Sequence, residues 1–79
     1  MDAITAVCRS LPARADLIRL RFWRDAEFRS LCEDCRDAIE MLAKLDPGEP
    51  TNAVRIDEYR LIAAELLAEV SLMLDRKHS

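Results

Sequence analysis

Between Asp25 and Leu45 the apolar residues Phe28, Leu31, Cys32, Cys35, Ala38, Ile39, Leu42 and Leu45 recur at intervals of three and four. That spacing puts them on one stripe of a helix and predicts a helix over about 25–45. Asp25 stands where its carboxylate can accept an orphaned amide of the first turn. Away from the stripe, Arg29 with Glu33, Arg36 with Glu40 and Glu40 with Lys44 are spaced i,i+4 with opposite charge. Each such pair adds about 0.2–0.5 kcal/mol to an exposed helix. Asp46-Pro47-Gly48-Glu49-Pro50 then ends the segment, because Pro47 disfavours helical geometry at Asp46 and Gly48 permits a reversal.

A second long helix is predicted over about 52–76, capped by Thr51 or Asn52. Its main stripe is Tyr59, Ile62, Ala63, Leu66, Val70 and Met73, with Ile56, Leu67 and Leu74 flanking. The two helices are roughly 30 and 37 Å long at 1.5 Å per residue, and so short a connection makes them antiparallel neighbours. The later helix carries a further apolar set, Val54, Leu61, Ala68 and Leu72, on a face turned well away from its main stripe. One hairpin cannot cover both faces. Either the N-terminal segment or a second copy of the chain is expected there, and the seven-residue spacing of Val54 and Leu61 suits a helix–helix seam.

The N-terminal segment reads as two shorter helices, about 2–10 and 13–23. Asp2 caps the first, which carries Ile4, Val7, Cys8 and Leu11 and is broken at Pro12. In the second, Leu17, Ile18, Leu20, Phe22 and Trp23 spread around the helix, which predicts contact on two sides. The expected fold class is therefore all-α: one domain over 1–79, an antiparallel helical hairpin braced by short N-terminal helices into a small bundle.

Composition narrows the picture. The chain has 79 residues, of which 51% are hydrophobic and 34% charged. A chain of this kind is neither disordered nor long enough for two domains. The longest run without a charged residue is Ala3 to Cys8, far short of the roughly 20 apolar residues of a membrane span. Asp2 and Arg9 do not fit a secretory leader, and three cysteines, Cys8, Cys32 and Cys35, make no disulfide scaffold. A cytoplasmic protein with reduced thiols is expected.

The net charge of -3 conceals a gradient. Residues 9–29 carry +3, from six arginines against Asp16, Asp25 and Glu27, whereas residues 30–50 carry -4, from six acids against Arg36 and Lys44. Arg14, Arg19, Arg21 and Arg24, interleaved with Phe22 and Trp23, form the mixture that phosphate and base contacts require. Nucleic acid is nonetheless the lesser expectation, because the isoelectric point of about 5.1 lacks a basic signature and the arginines suit pairing with the acids of 25–45. A membrane-surface helix is disfavoured by Asp16 and Asp25.

Over Asp25-Ala26-Glu27-Phe28-Arg29-Ser30-Leu31-Cys32-Glu33-Asp34-Cys35 the chain resembles a loose group of short bacterial helical proteins. In those proteins a proline often stands at the position of Ala26 and an aromatic at that of Cys35. The resemblance implies a bacterial helical protein and brings no activity with it.

Candidate chemistry is sparse. Cys32-Glu33-Asp34-Cys35 has the spacing of a redox dithiol, but Cys32 falls about two turns into its helix and is followed by two acids, both of which oppose a thiolate. Zinc would need Cys8 and His78 to complete four ligands. Both cysteines are read instead as small apolar residues of the stripe. Glu33, Asp37 and Glu40 form a solvated face, and a di-iron bundle would require Glu-x-x-His pairs where the chain has only His78. No catalytic residue, metal or cofactor is expected. The expected function is a non-catalytic interaction module whose partner is another helical protein or a second copy, with Val54, Leu61 and Leu72 as the contact. The alternative is a small polyanion binder using residues 9–29.

Overall fold

The computed structural model describes residues 1–76. They form four α-helices: α1 (Ala3–Ser10), α2 (Ala15–Phe22), α3 (Ala26–Lys44) and α4 (Ala53–Asp75). Short 3-10 turns, Pro12–Arg14 and Pro50–Asn52, precede α2 and α4. There is no strand among the described residues, and the chain is an all-α bundle. No helix among them is long and apolar enough to cross a membrane.

The helix starts follow local chemistry. Asp2 Oδ1 accepts the Thr5 amide at 2.8 Å, and Asp25 Oδ1 accepts those of Glu27 and Phe28 at 3.0 and 3.1 Å. These bonds satisfy donors that have no carbonyl within the first turn. Neither Thr51 nor Asn52 caps α4 with its side chain. The preceding 3-10 turn already engages the chain, with the Asn52 amide on Glu49 O at 3.0 Å, and Asn52 Nδ2 reaches back to Asp46 O at 3.1 Å. Asp46 also accepts the Gly48 amide through Oδ1 at 2.9 Å. The reversal is built from these bonds, and Gly48 keeps a negative φ. The same device shortens the second N-terminal helix: Pro12 begins a 3-10 turn, so the predicted helix over 13–23 is α-helical only over Ala15–Phe22.

α3 and α4 pack side by side as the hairpin, while α1 and α2 lie against α3 and each other and make little contact along α4. One core results, in which Val7, Ile18, Phe22, Phe28, Cys32, Cys35, Val70 and Leu74 are buried. The core-facing stripe of α4 is turned from the one expected: Leu74 is only 4% exposed whereas Ile62 is 41% exposed. The N-terminal helices sit at the C-terminal end of α4, so they bury Leu74 and leave Ile62 beyond their reach. From Ile39 to Ile62 no residue is fully buried, and this stretch is two helices and their connection with no further helix laid over them among the described residues. The molecule is accordingly elongated, 46 × 22 × 21 Å with a radius of gyration of 13.5 Å. A compact globule of this length has about 12 Å.

Candidate interaction surfaces

The outer face of α4 is uncovered. Val54, Leu61 and Leu72 are 69%, 61% and 56% exposed, on the side opposite buried Ala63, Val70 and Leu74. The N-terminal helices occupy a different side of the hairpin, so within the chain nothing among the described residues packs on this stripe. Ala64 and Ala68 are also exposed and lie between its larger side chains. At about 100° per residue, Asp57 borders the stripe on one side and Glu58, Glu65 and Glu69 on the other, all within about 80° of its centre. These four acids are exposed and make no ion pair among the described residues.

A second exposed apolar face lies on α2. Ile18 and Phe22 point into the core, but Leu20 and Trp23 are 60% and 70% exposed and Leu17 is exposed beside them. The contact on two sides predicted for this segment is made on one side only. Trp23 and Phe22 meet in a T-shaped contact, with ring centroids 5.1 Å apart and planes at 80°. Between α2 and the end of α4 runs an open groove lined by Leu17, Leu20, Arg21, Arg24, Asp25 and Leu74. The outer face of α2 was not singled out in the sequence, although the spread of Leu17, Leu20 and Trp23 around the helix carried its signal.

The arginines of 9–24 do not form one patch, and of the acids of 25–45 expected to pair with them only Asp25, at the start of α3, does so, with Arg21 at 3.2 Å. Arg14 pairs with Asp75 at the end of α4 at 2.7 Å. Arg21 donates to Met73 O at 2.7 Å and to the Asp25 carboxylate at 3.2 Å, while its guanidinium lies 5.5 Å from the Phe28 ring centre. Arg29 donates to Phe22 O at 2.8 Å and lies over the Phe22 ring at 5.8 Å, away from Glu33. Arg19 meets Asp16 at 3.5 Å at the surface, and Arg24 is exposed with no ion pair among the described residues. On α3, Arg36 bonds Asp37 and Glu40 takes the Met1 ammonium at 3.3 Å, in place of the expected i,i+4 pairs. Buried carbonyls at helix ends are better partners for a guanidinium than a solvated carboxylate, because they would otherwise lack a donor.

Cys8, Cys32 and Cys35 are free thiols within the core. Burial first, then the neighbouring Cys35 and Cys8 and the charge of Glu33, pushes the Cys32 thiol up to about 12. Burial, with Asp34 and Glu69, pushes Cys35 up to about 11. Cys8 turns its sulfur toward Ala15 O at 3.8 Å. No group of three or more His, Cys, Asp or Glu among the described residues is placed to hold a metal ion. His78 lies outside the described residues.

These features define a class: a small all-α bundle with two exposed apolar helix faces, one on α4 bordered by acids and one on α2 bordered by arginines. No protein-family model matches the chain, and comparisons with curated proteins and with solved structures return no match.

Proposed function

We propose that this chain is a non-catalytic interaction module that self-associates through the outer face of α4, in the cytoplasm, where three unpaired thiols remain reduced. The observation that carries the reading is the exposure of Val54, Leu61 and Leu72 on a helix whose opposite face is already packed. A small domain gains disproportionately from burying such a stripe in an oligomer. Polyanion binding has less behind it, because Arg14, Arg21 and Arg29 are engaged within the fold and Arg19 meets Asp16, which leaves the exposed Arg9 on α1 and Arg24 just past the end of α2.

Sedimentation velocity over a concentration series tests the proposal. The wild-type chain is expected to form oligomers as concentration rises, and Leu61→Glu to remain a monomer with an unchanged circular dichroism spectrum and the melting temperature of the dilute, monomeric wild type. A wild-type chain that stays monomeric at millimolar concentration would overturn it.

A further inference from the structure

We propose that the surface docking on the α4 stripe is the outer face of α2 from a second copy, so that the chain associates head to tail. The inference rests on the reading that α4 mediates self-association, and names the surface it meets. Its basis is charge. Pairing α4 with α4 of another copy would bring Asp57, Glu58, Glu65 and Glu69 against the same four acids around a small apolar contact. Like charges so placed oppose association. The face of α2 is apolar at Leu17, Leu20 and Trp23, and its one charge without an ion pair among the described residues is the exposed Arg24, since Asp16 is met by Arg19 at 3.5 Å. It offers what the α4 stripe lacks.

Size agrees with charge. Leu61, Ala64, Glu65 and Ala68 form the four corners of a hole on a helix surface, and its two alanines leave it wide. Trp23, 70% exposed at the end of α2, is the large apolar side chain of that surface. The stretch from Leu61 to Leu72 covers three helical turns, and α2 itself a little over two, so the two surfaces are comparable in length. Arg24 then lies beside the acidic border of α4.

Because the two surfaces belong to different helices of one copy, the contact is heterologous. After pairing each molecule keeps one surface unused, so the pair still offers one of each kind, and addition continues until a ring closes or a filament grows.

Two variants, each disabling one surface, provide the test. Leu61→Glu removes the α4 surface and Trp23→Glu the α2 surface, and both positions are exposed enough to leave the fold intact by circular dichroism. Glu65→Lys with Glu69→Lys serves as a second α4 variant should Leu61→Glu melt early. Each variant alone is expected to sediment as a monomer, and an equimolar mixture as a one-to-one dimer that grows no further. Raising salt is expected to weaken wild-type association, whereas an α4–α4 contact would strengthen as its acids are screened. If Trp23→Glu self-associates like the wild type, the head-to-tail contact is wrong and association through α4 stands. If both variants are monomeric and do not combine, the head-to-tail contact is likewise overturned. If the wild type is itself a monomer at millimolar concentration, both readings fall together.

Discussion

A cysteine becomes reactive when its thiolate is stabilised, and the surroundings of Cys32 and Cys35 do the reverse. Both are fully enclosed by apolar neighbours and face acids, which holds them protonated at neutral pH. A thiol reagent at pH 8 is expected to label the native protein slowly and all three cysteines at once in denaturant; an equivalent consumed within the mixing time would contradict the buried placement. The linkage runs toward alkali: above about pH 9 the unfolded chain ionises thiols that the folded chain keeps protonated, so the stability they contribute is lost as pH rises toward about 12. The same contrast of enclosed and open positions separates Phe28 from Leu61. Phe28 is fully buried, and Phe28→Ala should cost about 3–5 kcal/mol. That is a large share of the roughly 4–12 kcal/mol available to a domain of this size. Leu61→Ala should change stability by less than about 0.5 kcal/mol, and chemical denaturation of the two variants checks both values. Periodicity marked Phe28, Cys32 and Cys35 as core, because a three-four spacing has one inward solution. It was mute about Arg14 and Arg21, whose partners, the Asp75 carboxylate and Met73 O, lie at the far end of the chain.

Each helix start shows how much of an element is written locally. Asp2 and Asp25 were readable as caps, since both the residue type and its position before an apolar run are visible in the chain. The start of α4 was not, because Pro50 opens a 3-10 turn whose bonds replace the side-chain cap. At Asp25 the Phe28 amide, and after it Arg21, hold the carboxyl below the usual carboxylate range against the opposing effect of its partial burial. A lowered pKa stabilises the fold above the ordinary value near pH 4 and is lost as pH falls through it. Thermal melts should therefore drop as acid is added below pH 4, and Asp25→Ala should lower the melting temperature at pH 7 and flatten part of that slope. Asp2→Ala should do less, since Asp2 accepts one amide where Asp25 accepts two and an arginine. Along the hairpin, the stretch from Ile39 to Ile62 has no enclosed residue, so local opening there breaks few contacts. Amides of Leu42 and Tyr59 are expected to exchange with deuterium well before those of Cys35 and Val70.

At the scale of the whole molecule, the hairpin and its bracing helices were legible because two amphipathic segments joined by a proline-rich turn have one compact arrangement. Where the N-terminal helices would sit was not. The later helix offered two apolar faces, and its pattern did not say whether the N-terminal helices would cover the second. The structure places α1 and α2 against α3 and reaches α4 mainly at its last turns, through Leu74 and through Arg14 and Arg21. This leaves Leu61 and Leu72 outside, together with Leu20 and Trp23. A random oligonucleotide at physiological salt is expected to bind neither the wild type nor Arg19→Glu with Arg24→Glu, and fluorescence anisotropy that fell in the variant alone would restore the polyanion reading.

The strap between Arg14 and Asp75 joins positions sixty-one residues apart, and that between Arg21 and Met73 positions fifty-two apart. In the order in which a ribosome makes the chain, α1, α2 and α3 all exist before Val70 and Leu74 do. Until those residues appear, Val7, Ile18, Phe22 and Phe28 lack part of the wall that encloses them, and closure waits on contacts of long sequence separation. A fragment of residues 1–50 should thus show helical circular dichroism that fades gradually on heating, without a cooperative transition. Adding a peptide of residues 50–79 should restore one. The nascent chain would present its most apolar residues to solvent for most of its synthesis, which makes α4 the element whose arrival ends its exposure to aggregation and to chaperones.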